Sequence, residues 1–228
     1  MSSSELRWES TDVRMLSSAL LGVAILCGQS VTGAQRSGGP LFSPADLGIL
    51  ESPDRDEWQQ PDRIMDALQI ADGSKVADIG AGGGWFTVRL ARRVGQNGKV
   101  YAEDVQTQMI DSIRRRVAEL GLTNVVTTVL GRPDDPNMPP GLNAVLIVDT
   151  YPQFPDPVKV LRHLKEALLP NGLLGIVDFT KEGIGGPGPP LSERLDPEKI
   201  KRDAAEAGLV FRSSPTFLRY QYLLIFGK

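Results

Sequence analysis

The stretch Val76-Ala77-Asp78-Ile79-Gly80-Ala81-Gly82-Gly83-Gly84 decides the fold. Its first half belongs to a short apolar run, 75–79, that reads as a strand. Its second half is too rich in glycine for a strand or a helix, and residues 85–94 beyond it have helical spacing. Strand, glycine turn and helix in that order make the first βα unit of a doubly wound sheet. Such a turn admits a nucleotide-like ligand, because glycines let the backbone approach it closely. Two ligands compete for it. A dinucleotide turn needs glycines at its first, third and sixth positions, and the sixth here is Trp85. An indole there opposes close helix–strand packing and the approach of a pyrophosphate. The spacing present is G-x-G-x-G, with Asp78 two residues ahead of it. A carboxylate facing the ligand is wrong for a pyrophosphate and right for an ammonium group.

Working outward, the alternation persists in both directions. A helix is expected over 56–68, with Pro61 in its first turn. After the glycines come a strand over 99–103, a helix over 107–120, and strands over 124–130 and 144–148. A helix over 157–169 is expected to stop at Pro170-Asn171-Gly172, followed by a strand over 173–178 and a helix over 196–207. Residues 210–213 and 221–226 read as a closing antiparallel hairpin. The fold class is therefore α/β: a Rossmann-like doubly wound sheet, mostly parallel, in a single domain. An acid at the tip of the second strand can accept hydrogen bonds from both hydroxyls of a ribose. Alternation puts Val100, Ala102 and Asp104 on one face, which makes Asp104 the first choice and Glu103 the second.

The glycine cluster, the strand-two acid and the Pro-Asn-Gly turn resemble the class I S-adenosylmethionine (SAM)-dependent methyltransferases. The resemblance covers about residues 51–228 and extends to a bacterial group of small methyltransferases. It implies SAM as cofactor and a small molecule as methyl acceptor. It places Gly80, Ala81, Gly82 and Gly84 against the cofactor, Asp78 on its amino-acid end and Asp104 on its ribose. Gly131-Arg132-Pro133-Asp134-Asp135 falls at the family's adenine edge; the usual acid after the glycine is Arg132 here, so the contact passes to Asp134 or Asp135. Asp149, at the end of the fourth strand, is a contact to the methionyl part or a strand-end support. Relatives carry Tyr-His-His-Phe where this chain has Tyr151-Pro152-Gln153-Phe154. With both imidazoles gone, Tyr151 is the expected catalytic group, orienting the acceptor or accepting its proton through a water. Trp58 and Arg55 are lid candidates, and Tyr220 and Tyr222 are either pocket walls or core. The same departure supports a second reading, a protein of this fold that binds SAM with little or no turnover.

Composition narrows the chemistry further. The 228 residues carry 25 basic and 28 acidic side chains, one cysteine and one histidine. That balance provides no basic field for nucleic acid, and the counts exclude a disulfide within the chain and a His–His metal pair. His163 sits mid-helix, away from every strand tip, and Arg114-Arg115-Arg116 reads as a solvated helix face. Residues 15–28, MLSSALLGVAILCG, are apolar but shorter than the ~20 residues that span a bilayer. They suit the core of an export signal, with Thr32-Gly33-Ala34 as cleavage site, or an anchor giving membrane association. The segment 1–34 thus points to a periplasmic, secreted or membrane-associated protein, while SAM, made in the cytosol, points to the cytoplasm. Residues 35–50, rich in glycine, serine and proline, read as a linker to the domain at 51–228.

Overall fold

A computed structural model describes residues 39–182 and 186–228. The signal-like segment, with Cys27, lies outside the described residues. Among the described residues no helix is long and apolar enough to cross a membrane, and no group of three or more His, Cys, Asp or Glu could hold a metal ion.

The described residues form one mixed sheet of seven strands in the order β3-β2-β1-β4-β5-β7-β6. The strands are β1 (Lys75–Ile79), β2 (Lys99–Asp104), β3 (Val126–Leu130), β4 (Leu142–Val148), β5 (Leu168–Phe179), β6 (Val210–Ser213) and β7 (Gln221–Gly227). The first five are parallel; β7 runs antiparallel to β5, and β6 antiparallel to β7. Helices α1 (Arg55–Gln59), α2 (Pro61–Ala67), α3 (Trp85–Val94), α4 (Thr107–Glu119), α5 (Pro157–Ala167) and α6 (Pro197–Glu206) complete the fold. The Rossmann-like sheet with its antiparallel closing hairpin is the architecture expected from the sequence.

Strand alternation divides the core between the two faces. Val76 packs with Ile64, Phe86, Leu90 and Ile113 from α2, α3 and α4. Its neighbours Ala77 and Ile79 pack with Val160, Leu161, Leu164 and Ile200 from α5 and α6. Strand order reverses between β1 and β4, and at such a switch point the crevice beyond the strands' carboxyl ends is open to a ligand.

Three elements differ from expectation. The single helix over 56–68 is two, broken at Gln60, whose φ of 48° is left-handed. Pro61 is the cause: its ring disfavours helical geometry in the residue before it, and it opens α2 without needing an N–H partner. Pro170-Asn171-Gly172 is no stop between helix and strand. Leu142 pairs with Leu168 and Ala144 with Leu173, so the intervening residues bulge out of a strand already begun. Within the expected linker, a 3-10 helix spans Pro44–Glu51, its first turn capped by Ser43 Oγ accepting the Ala45 N–H at 3.2 Å.

Candidate functional site

The carboxyl ends of β1, β2, β4 and β5 open on a cleft of about 1490 Å³. Its floor is the glycine turn, where Gly80, Gly82 and Gly84 all have positive φ, at 66°, 55° and 82°. At Gly80 no side chain fits: a Cβ there would lie 2.2 Å from Thr150 Cγ2. Gly84 caps α3, and Trp85, the residue that argues against a dinucleotide, lies between two guanidinium groups. Arg55 is 4.1 Å and Arg89 3.4 Å from its ring centroid. Arg89 also pairs through two nitrogens with Asp56, at 2.9 and 2.8 Å.

Carboxylates stand at four strand ends. Asp78 is 2% exposed and accepts the Thr87 hydroxyl at 2.6 Å. Burial pushes its pKa up to about 6, against the opposing pull of Thr87 and Arg55. Asp104 lines the cleft and accepts the N–H groups of Gly82 at 3.0 Å and Gln106 at 2.9 Å. Glu103 takes the opposite face, as alternation requires. It lies beneath the turn, bonded to the Gly80 N–H at 3.2 Å, and burial pushes its pKa up to about 8. Asp149 lines the cleft in a left-handed conformation, φ 55°. A buried chain of hydrogen bonds reaches it: Arg55 Nε donates to Gln59 Oε1 at 2.6 Å, Gln59 Nε2 to Gln221 Oε1 at 3.0 Å, and Gln221 Nε2 to Asp149 Oδ1 at 2.7 Å. Burial raises the Asp149 pKa to about 6 as well. Asp178, at the end of β5, is 2% exposed, and burial, then the Asp149 charge, raises its pKa to about 7.

Residues 76–172 match a family described as "methyltransferase domain". Among solved structures, a SAM-dependent methyltransferase from Aquifex aeolicus superposes with a TM-score of 0.76 at 27% identity, over 81% of this chain and 98% of that one. Fold and matched domain alike are similar to those of the class I SAM-dependent methyltransferases. Two curated relatives differ in what they are named for. One is the ubiquinone/menaquinone biosynthesis C-methyltransferase UbiE of Cronobacter sakazakii, 27% identical over 51% of this chain and 47% of that protein. The other is the protein-L-isoaspartate O-methyltransferase of Methanococcoides burtonii, 28% identical over 50% of this chain and 53% of that protein. The chain thus spans about half the length of these relatives.

Within this fold the expected site residues separate into two sets. Asp78, Gly80, Ala81, Gly82, Asp104 and Asp149 all line the cleft, with Met109, Arg55, Trp58 and Tyr220. Gly84 supports the turn from the helix side, where a Cβ would press on Ile113. Tyr151 and Asp135 are not among the residues lining the cleft. After β4 the backbone turns through a short 3-10 helix, Tyr151–Gln153, which carries the Tyr151 ring away from the cleft into the core beneath α6. There its hydroxyl donates to Asp203 Oδ2 at 2.9 Å, and burial together with that carboxylate raises its pKa, the wrong direction for a base. Asp135 holds its own turn, accepting the Asn137 N–H at 2.9 Å and pairing with Arg132 and His163, and it does not line the cleft. Asp134 pairs with Lys159 on the surface. Tyr222 does not line the cleft, and Arg114 and Arg115 bond to Asp111, Thr128 and Ser112.

Sequence reasoning missed Asp178, Gln59 and Gln221. Asp178 carried a usable signal, an acid at a strand's carboxyl end, the criterion that selected Asp104. The two glutamines carried none, since nothing local pairs residues so far apart in the chain.

Proposed function

We propose that this methyltransferase binds SAM at the glycine turn and transfers its methyl group to a small-molecule acceptor held in the same cleft. The observation that carries the reading is the convergence of the glycine turn, Asp78 and Asp104 on one cavity. The residues present fit the cofactor. The left-handed glycines leave backbone, not side chains, along the floor; Asp104 offers a carboxylate to a ribose diol; Asp78 offers one to an ammonium group; and Arg55, the one basic residue among the described residues lining the cleft, suits a carboxylate. Val105, Phe42 and Met109 supply an apolar wall for an adenine. When bound, SAM supplies an electrophilic methyl on a sulfonium. The chain's contribution is then placement: holding donor and acceptor in line and keeping water out, which supplies much of the acceleration in a displacement of this kind. The acidic lining favours a small molecule over a nucleic acid, whose phosphates it would repel.

Calorimetry with SAM, S-adenosylhomocysteine (SAH) and NADH tests the reading. Micromolar binding of SAM and SAH and no heat with NADH is the expected outcome; NADH binding alone would sink it. Gly82→Arg should abolish SAM binding, because its side chain fills the floor of the cleft. Retained affinity would show that the cofactor lies elsewhere. The second reading, binding without turnover, rests on Tyr151 turning away and on the absence of an imidazole among the residues lining the cleft. Donor consumption that no acceptor accelerates, in a protein that binds SAM, would favour it.

A further inference from the structure

The cleft is larger than the ~300–1,000 Å³ of single-ligand sites, and its far side is built differently from the glycine turn. Trp58 and Phe179 form one wall, their ring centroids 5.9 Å apart. Tyr220, Pro187 and Pro189 form another. This second wall is fixed. Arg194, 7% exposed, donates from Nε to Pro189 O at 2.9 Å, from one terminal nitrogen to Thr180 O at 2.9 Å and from the other to Pro187 O at 3.2 Å. Its guanidinium also lies 5.3 Å from the Phe179 ring centroid. Arg194 is thereby held by carbonyl groups and does not itself line the cavity, although its charge still acts on Asp178.

Asp178 lies at this side of the cleft. Its Oδ1 accepts the Phe179 N–H at 2.7 Å, while its Oδ2 is buried with no hydrogen-bond partner among the described residues. The hydroxyl of Tyr222, the residue opposite Asp178 on β7, is equally without one. A buried carboxylate oxygen left unbonded is costly, and proteins keep such groups where a ligand or water completes them. Asp46, Asp54 and Glu193 also line the cleft, and no lysine or histidine does among the described residues.

We infer that this side of the cleft is the acceptor subsite, and that it takes an uncharged or cationic ring compound that donates an O–H or N–H hydrogen bond to Asp178. Rings meet the aromatic walls, and a donor completes Oδ2. A carboxylate anion brings no hydrogen for Oδ2 and meets Asp46, Asp54 and Glu193 in the lining. The inference rests on the proposed function only in taking the glycine turn for the donor.

Three probes sharing one ring and chain length test it: phenethylamine, 2-phenylethanol and phenylacetate, titrated calorimetrically into the full-length protein with and without SAH. The amine and the alcohol should bind, and phenylacetate at least tenfold more weakly. Asp178→Asn should weaken the amine at least fivefold while SAH affinity stays within threefold. Tyr220→Ala should weaken all three probes alike, which keeps the subsite testable if the Asp178 variant fails to fold. Phenylacetate binding as tightly as the amine, no binding by any probe, or an amine preference unchanged in Asp178→Asn would each overturn the inference. Failure of SAH to bind, with the probe preference intact, would instead overturn the proposed function and leave this subsite standing.

Discussion

Glu103 and Asp104 show how one residue of register separates two carboxyl groups. Asp104 faces the cleft, where backbone N–H groups and a ligand can share it. Glu103 is 3% exposed beneath the glycine turn, and a Cβ on Gly131 would lie 1.9 Å from its Oε1. With so little room for water, burial outweighs the Gly80 N–H bond and lifts its pKa from 4.5 to about 8. The sign of the stability effect follows. Below pH 4.5 the group is protonated whether the chain is folded or not. Between 4.5 and 8 the unfolded chain releases the proton that the folded chain retains, so stability falls as pH rises, and the loss is complete above 8. Glu103→Gln, which cannot ionise, should therefore gain on the wild type as pH rises. Denaturant unfolding at pH 5.5, 7.0 and 8.5 should show the gap widening in favour of the variant, by about 2–4 kcal/mol overall. A gap independent of pH would mean that Glu103 is ionised in the folded protein at all three values.

At the scale of elements, the buried hydrogen-bond chain is what joins α1 to the sheet. Gln59 on α1 and Gln221 on β7 are 0% and 5% exposed, and between them they connect Arg55 to Asp149. Gln221→Leu removes the central member and leaves Asp149 Oδ1 and Gln59 Nε2 each short of a partner. At ~1–3 kcal/mol per unsatisfied buried group, the variant should lose about 3 kcal/mol of stability in urea unfolding. It should also bind SAM more weakly, because Asp149 at the cleft loses the hydrogen bond from Gln221. Unchanged stability would mean that water replaces the glutamine. None of this was legible in the sequence, which reveals hydrophobic period and turn chemistry but not which buried polar groups meet. The β1–β5 frame was legible because strands covered on both faces read as apolar runs, and the glycine turn because few other residues tolerate its φ values. The break at Gln60 was only half legible: Pro61 marks a first turn, yet helices both start at a proline and pass one near their start. Tyr151 was misplaced because its direction depends on a three-residue helix whose geometry Tyr-Pro-Gln does not announce.

At the scale of the molecule, one histidine and one cysteine are no obstacle to the proposed methyl transfer, because there the reactive group would arrive with the cofactor. What the protein must supply is an enclosure, and the described residues show the enclosure extending ahead of residue 51. Gly39, Phe42, Asp46 and Leu47 line the cleft. The Gly39 N–H donates to Pro152 O at 2.9 Å, behind β4, and Gln106 Nε2 donates to Phe42 O at 3.0 Å, ahead of α4. A segment read as linker is thus tied at two points to loops bordering the cleft, across from the glycine turn. None of the described side chains over 39–48 is buried, so the effect of this stretch should fall on the ligand. A chain beginning at residue 35 should bind SAM as the full-length protein does. One beginning at residue 52 should fold, with a melting temperature within a few degrees, yet bind SAM about tenfold more weakly, a difference of ~1.4 kcal/mol. Calorimetry and thermal melting on the two truncations separate these effects. Equal affinities would show that residues 39–51 border the cavity without closing it. A collapse in melting temperature for the shorter chain would make the segment part of the domain's core rather than a wall of its site.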